Sequence, residues 1–447
     1  MANRTPEVVV IGGGFAGLNA AFELGKLPVN ITVIDRKNHH TFQPLLYQVA
    51  TAGLSPGEIA APIRGVLKKL KNLHVLMGEV VGFDTANRKV NLRDGSQIPY
   101  DYLIVAAGAT HSYFGHPEWA ELAPGLKSIE DATEIRRRVL LAFELAERKA
   151  AMTGKAEPIH FVIVGGGPTG VELAGTLAEI ARKTIAADFD WINPRDTKIL
   201  LIEGGPRVLP AYPDDLSASA ERQLRRLGVQ VMTSAVVTAI EPGLVKVREQ
   251  VVPSTVTLWA AGVAASPLGK ALGVNTDKRG LVIVEHDLSV PGHPEIFVVG
   301  DLANFTPPGE QHPLPGLAPV AMQEGRFAAK NIGDDLKGRA RQTFHYRGKG
   351  TMATIGRAAA IAQIGNLHLS GTIAWLMWLF VHLMYLVGFR NRLLVFIEWA
   401  WDYLTYQRSA RLITGSSQLP GWSQQQQMPD SPLPTVEQLH EGSTAAD

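Results

Sequence analysis

Two glycine-rich turns are the residues with the clearest chemical meaning. The run Val8-Val9-Val10-Ile11 leads into Gly12-Gly13-Gly14-Phe15-Ala16-Gly17. The run Phe161-Val162-Ile163-Val164 leads into Gly165-Gly166-Gly167-Pro168-Thr169-Gly170. Each is a β-branched strand pattern, then G-x-G-x-x-G, then a helix-compatible segment. In such a turn the first glycine permits the tight bend and the second lets the backbone approach a pyrophosphate. The third lets the helix pack closely on the strand. The phosphate charge then sits at a helix N-terminus, where free N–H groups and the helix dipole favour it. One such motif binds one pyrophosphate, so the pair predicts two dinucleotides in one chain. Passing electrons from a nicotinamide to a flavin needs that arrangement.

Each motif has an acid at the end of the next strand. Asp35 follows Asn30–Ile34, placed to bond the adenosine ribose hydroxyls. Glu203 follows Lys198–Ile202. A carboxylate there bonds a 2′-hydroxyl and repels a 2′-phosphate, which favours NADH over NADPH. Arg207 weakens that inference, because an arginine can accommodate the phosphate. Gly300-Asp301, after the strand pattern Glu295–Val299, assigns FAD to the first motif. An aspartate there can bond the ribityl chain; its plainer reading is the N-cap of the next helix.

The elements that position these groups repeat. In the first half, helix Leu18–Leu24, alternating segments Val75–Phe83 and Lys89–Leu92, and a buried strand from Tyr102 into Ala107-Gly108-Ala109 are expected. In the second half, helix Val171–Ala181 and a closing segment Thr257–Val263, with Ala261-Gly262, mirror the first. A further helix is expected over Val320–Ile332. The fold class is α/β, with two Rossmann-like dinucleotide-binding domains and a C-terminal membrane-associating helical region. The expected domains are 1–112 with 276–340 for FAD, 113–275 for NADH, 341–415 for membrane anchoring, and a disordered Gln-, Ser- and Pro-rich tail over 416–447.

Composition narrows the chemistry. The net charge of +1 gives no footprint for nucleic acid. The chain has no cysteine, which excludes disulfides, thiolate metal sites and iron–sulfur clusters; no metal is expected. No secretory signal precedes the first strand, so the N-terminal domain is expected to stay where it is made. Gly371 to Phe389 holds no Lys, Arg, Asp or Glu and as a helix would reach roughly 28 Å. Trp375 and Trp378 inside it, and His382 near its middle, favour a monotopic anchor over a span. In the next segment Leu393, Leu394, Ile397, Trp401 and Leu404 share a helical face, with Arg392, Glu398, Asp402 and Arg408 expected toward water. A buried dimer interface made of the same helices is the plainer alternative.

Three segments are more specific: Phe42-Gln43-Pro44-Leu45-Leu46-Tyr47-Gln48-Val49-Ala50, Gly167-Pro168-Thr169-Gly170-Val171-Glu172, and Ala318-Pro319-Val320-Ala321-Met322-Gln323-Glu324-Gly325. With Arg390-Asn391-Arg392 to Thr414, they make the chain resemble type II NADH dehydrogenases, the single-subunit, non-proton-pumping NADH:quinone oxidoreductases. The resemblance covers roughly residues 5–415. It implies the pyridine nucleotide-disulfide reductase-like fold without the disulfide. It also implies hydride transfer from NADH to one non-covalent FAD, then two-electron transfer to ubiquinone or menaquinone. Gln48 would sit beside the isoalloxazine, Glu172 near the nicotinamide and flavin, and Gln323 on the quinone-pocket helix. FAD would contact Gly12, Gly14, Phe15, Ala16, Gly17, Asp35, Arg36, Gln48, Ala107, Gly108, Asp301, Val320 and Ala321. NADH would contact Gly165, Gly167, Pro168, Thr169, Gly170, Glu172, Glu203, Ala261 and Gly262. Pro319 departs from the family's commonest pattern, which has glutamine there. A first-turn acid that serves only the helix dipole is the plainer role for Glu172. The resemblance places the protein on the cytoplasmic face of the cell inner membrane, held to lipid through 371–415, with a homodimer possible. Rival readings are an NADH-dependent reductase of a soluble electron carrier and a redox-responsive NAD(H)-binding flavoprotein.

Overall fold

The computed structural model describes residues 4–405, 408 and 410–419. They fall into two compact units. The first comprises residues 4–41, 60–111 and 263–349; the second comprises 42–59, 112–262 and the described residues from 350 to 419. These bounds differ from the domains expected above. Residues 42–59 and the C-terminal region group with the second unit, and the chain re-enters the first unit at Val263 rather than at 276.

The first unit is built on a six-stranded sheet in the order Ser289–Val290, His293–Val298, Tyr102–Val105, Glu7–Ile11, Asn30–Asp35, Leu73–Met77. All neighbours run parallel except the Ser289–Val290 edge. Val8, Val10, Ile31, Val33 and Ile104 are fully buried on one sheet face, and Val9, Ile34, Leu103 and Val105 on the other. Burial on both faces is why these strands read as continuous apolar runs. The single strand expected over Val75–Phe83 is two strands. Leu73–Met77 joins the large sheet, and Val80–Asp84 starts a three-stranded meander with Lys89–Leu92 and Gln97–Pro99. The break falls at Gly78-Glu79.

The second unit repeats the central order in four parallel strands: Val229–Met232, Lys198–Ile202, His160–Val164, Val256–Trp259. In both sheets the motif strand lies between the acid-ended strand and the strand that runs into Ala-Gly. A 25-residue helix, Ile129–Thr153, precedes this sheet and begins at a capping box made by Ser128 and Asp131. Its start is written in the sequence as Ser-x-x-Asp before an apolar-periodic run.

The C-terminal region is not wholly helical. Thr351–Gly356, Ala359–Ile364 and Leu367–Ser370 form an antiparallel sheet whose Gly365-Asn366 turn was a legible hairpin signal. Gly175 sits so close to it that a Cβ would lie 1.6 Å from the Ile355 carbonyl oxygen. Two helices follow, Thr372–Tyr385 and Phe389–Thr405. The spanning alternative over 371–389 fails on length. The helix covers 14 residues and ends before Gly388, and among the described residues no helix is long and apolar enough to cross a membrane. The tail expected to be disordered from 416 begins packed: Arg137 donates to the carbonyl oxygens of Ser416 and Gln418, both at 2.7 Å. Its remainder, 420–447, lies outside the described residues.

Candidate active site

In the first unit Gly12 turns at φ +99°. A methyl there would lie 2.3 Å from the Ala106 carbonyl oxygen, and one on Gly17 would lie 1.8 Å from the Gly12 oxygen. These two glycines let strand, turn and helix touch. Gly14 differs: nothing lies within 4 Å of where its Cβ would be. It is the N-cap of helix Phe15–Leu24, which has no side-chain cap and no acid in its first turn. The helix starts at once, three residues before the expected Leu18. Open space over uncapped N–H groups fits a pyrophosphate. Asp35 locks the turn, its two oxygens accepting from the Gly13 N–H at 2.6 Å and the Lys37 N–H at 2.7 Å. A carboxylate has about four lone-pair sites, so acceptors remain for ribose hydroxyls. Arg36 is exposed beside it.

His40 belongs to the same turn. Its Nδ1 bonds the Gly13 carbonyl oxygen at 3.0 Å and its ring meets Phe15 edge-on at 5.1 Å. Burial lowers its pKa, against a raising hydrogen bond from the Gly13 backbone. Ala107 and Gly108 form the turn after Tyr102–Val105.

Helix Ala318–Asp335 carries Pro319 in its first turn, where a missing N–H costs little, and Val320 and Ala321 buried behind it. It lies close along Phe15–Leu24: a methyl on Gly325 would be 2.1 Å from the Ala16 oxygen. Asp301 is not its N-cap. Leu317 is, and Asp301 opens a separate short turn, Gly300–Leu302. Gln323 is held locally, with Nε2 donating to the Arg347 carbonyl oxygen and Oε1 accepting from the Arg347 N–H, each at 3.1 Å.

Its neighbour Glu324 is buried, 2% exposed, and accepts from the Gly300 N–H at 2.6 Å. Burial, with the Asp301 charge second among the raising influences, pushes its pKa up to about 8. Below pH 4.5 both folded and unfolded chains hold this proton. As pH rises toward 8 only the folded chain holds it, so stability is progressively lost across that window. Glu324→Gln cannot ionise. Its thermal stability relative to wild type should rise between pH 5 and 8, by on the order of 3 kcal/mol, then level off. A difference independent of pH would refute the assignment.

The second unit repeats the first turn closely. Gly165 has φ +110° and its Cβ would meet the Ala260 carbonyl at 2.5 Å, while nothing lies within 4 Å of the Gly167 Cβ position. Helix Pro168–Glu179 begins at Pro168 and Thr169, not at Val171, because proline's fixed φ suits the first helical position. It has no side-chain cap and no acid in its first turn, so it too is open to a phosphate. Glu203 accepts from the Gly166 N–H at 2.6 Å and the Gly205 N–H at 2.7 Å. Arg207 is spent on an ion pair with Asp214 and a bond to the Pro210 oxygen. Ala261 and Gly262 follow the closing strand, with Gly262 against the Phe114 ring.

Glu172 is the fifth residue of its helix, beyond the first turn, so the dipole role does not account for it. Burial of its carboxyl raises the pKa to about 8, against a lowering hydrogen bond from the Thr354 backbone. Tyr47 and Tyr212 both sense its charge. Gln48 lies on the short helix Leu46–Ala50 and is fixed at both ends. Its Oε1 accepts from Trp399 Nε1 and its Nε2 donates to the Tyr47 hydroxyl, each at 2.8 Å.

Helix Phe389–Thr405 faces opposite to a soluble amphipathic helix. Phe389 is 81% and Leu404 79% exposed, and Leu393, Phe396, Ile397 and Trp401 are also outward. Asp402 and Arg408, expected toward water, turn inward. Arg408 bridges Glu179 at 3.3 Å and the Thr51 oxygen at 2.8 Å. Burial raises the Asp402 pKa to about 6.

Two acid-locked, uncapped glycine turns on parallel sheets define a two-dinucleotide oxidoreductase. Residues 6–325 match the pyridine nucleotide-disulphide oxidoreductase family, and residues 349–407 match the NDH2 C-terminal domain. The chain is 45% identical to the type II NADH:quinone oxidoreductase NdhA of Mycobacterium tuberculosis, covering 91% of this chain and 89% of the relative. It is 43% identical to Ndh of the same organism, covering 92% and 91%. The solved structure of NDH2 from Plasmodium falciparum in complex with NADH superposes with a TM-score of 0.81 at 21% identity. That match covers 91% of this chain and 99% of that one, and speaks for the fold. The chain belongs to the type II NADH:quinone oxidoreductase family, and it is an oxidoreductase with no cysteine for a disulfide.

Proposed function

We propose that this chain oxidises NADH and reduces a quinone, ubiquinone or menaquinone: NADH + H⁺ + quinone → NAD⁺ + hydroquinone, without pumping protons. The first unit holds one FAD without a covalent bond. Gly12, Gly14 and Gly17 serve its pyrophosphate, Asp35 its ribose and Asp301 its ribityl chain. The second unit holds NADH, with Gly165, Gly167 and Gly170 at the pyrophosphate and Glu203 selecting against a 2′-phosphate. Bound flavin supplies the two-electron chemistry, and no side-chain nucleophile is needed. Glu172 keeps a proton near neutral pH and can release one when called on. Gln48 presents a fixed amide, oriented by Tyr47 and Trp399.

The observation that carries the choice of acceptor is the outward apolar face of Phe389–Thr405. A reductase of a soluble carrier has no use for such a face, whereas a lipid-soluble acceptor requires contact with the bilayer. In this reading residues 371–415 lie monotopically on the cytoplasmic face of the cell inner membrane, and two copies can pair there. Anaerobic titration with NADH should bleach one flavin per chain. Ubiquinone or menaquinone analogues should restore its colour, and the protein should sediment with phospholipid vesicles. A flavin reduced by NADH but not reoxidised by any quinone would sink the reading.

A further inference from the structure

Among the buried donors of the second unit that lack an acceptor, one is an indole N–H. Trp378 is 1% exposed, and its indole Nε1–H has no hydrogen-bond partner among the described residues. Its surroundings are aromatic. The His382 ring stacks on it at 4.1 Å, and Trp399 and Tyr47 lie at 5.8 and 6.3 Å between ring centroids. The nearby polar groups are already matched to one another. Trp399 donates to Gln48, Gln48 donates to the Tyr47 hydroxyl, and His382 Nδ1 bonds the Trp378 carbonyl oxygen at 2.7 Å. A buried N–H left unbonded costs about 1–3 kcal/mol, and a buried tryptophan ordinarily finds a partner. Phenylalanine would supply a ring without that cost. The donor therefore fits an acceptor that comes from outside the chain.

The setting specifies that acceptor. An indole N–H only donates, so it selects a lone pair. Its aromatic neighbours would suit a flat, apolar ring. Burial lowers the His382 pKa to about 4, so the ring beside Trp378 is neutral and offers an anion no charge. The same helix exposes Ile373, Leu376, Phe380 and Met384 on its other face, which suits a ligand arriving from lipid.

We propose that the Trp378 indole N–H donates to a carbonyl oxygen of the quinone headgroup and positions it in the second unit. This rests on the NADH:quinone reading above. Gln48, Tyr47 and Trp399 brace the wall behind it, and Trp378 acts as a substrate-positioning residue.

The test is Trp378→Phe in the full-length, flavin-loaded protein on phospholipid vesicles. The quinone KM should rise about threefold to tenfold, the worth of one neutral hydrogen bond. Flavin reduction by NADH, and turnover with ferricyanide as acceptor, should stay at wild-type values. Benzothienylalanine at 378 keeps the shape and replaces N–H with sulfur. It should reproduce the KM rise even where phenylalanine disturbs folding. An unchanged quinone KM overturns the contact. So does an altered flavin spectrum with both acceptors slowed equally, since the N–H would then serve the cofactor or the fold. A wild type that reduces ferricyanide but no quinone overturns both readings. A wild type that reduces quinone with the isostere's KM overturns this contact alone.

Discussion

Gly14→Ala should fold normally and bind flavin about tenfold or more weakly, whereas Gly167→Ala should keep its flavin and lose affinity for NADH. Both positions have nothing within 4 Å of the added Cβ, so neither methyl strains the chain itself. Each intrudes only on the space above an uncapped helix N-terminus. Overpacking by one methyl costs about 1–3 kcal/mol, hence the magnitude. Flavin content, thermal stability and the NADH dependence of flavin reduction separate the two effects. Equal loss of flavin in both variants would overturn the assignment of FAD to the first motif and NADH to the second. Gly12→Ala and Gly165→Ala are poorer probes, because their methyls strike the backbone of Ala106 and of Ala260 and Ala261. They should fail by misfolding.

The second large effect is expected at Glu172. Glu172→Gln should lower quinone turnover by about 10²-fold, the lower bound for a positioned acid–base group, with flavin retained. The wild-type carboxyl has its pKa raised to about 8 by burial. It is mostly protonated at neutral pH, and the acid form is depleted as pH rises through 8. Wild-type turnover should therefore fall above pH 8, and the variant should lack that limb. A variant with the same alkaline limb would place the titrating group elsewhere. Glu324, also raised to about 8, is the control: Glu324→Gln should leave the limb in place.

The two glycine turns and their acids were legible because their constraint is local. A positive φ and a close backbone approach demand glycine at one position whatever the rest of the chain does. The acid that locks each turn sits on the adjacent strand of the same sheet. The role of Arg207 was less legible, since only the structure shows its pairing with Asp214. Gln323 stood out in the sequence, yet it is the next residue along, Glu324, that is buried and accepts from the Gly300 N–H.

The sequence alone determined that two glycine-rich strand–turn–helix motifs exist, that Glu203 follows the second, and that no thiol takes part. Each depends on residue type or on neighbours within one strand–turn–helix. Only tertiary structure decided what Gln48 does, because its partner Trp399 is 351 residues away. It also decided which way the last helix faces. Periodicity gives a helix two faces without naming the inner one. Here Asn391 and Val395 are buried and Trp399 is tied to Gln48, which leaves the apolar residues of the other face outside.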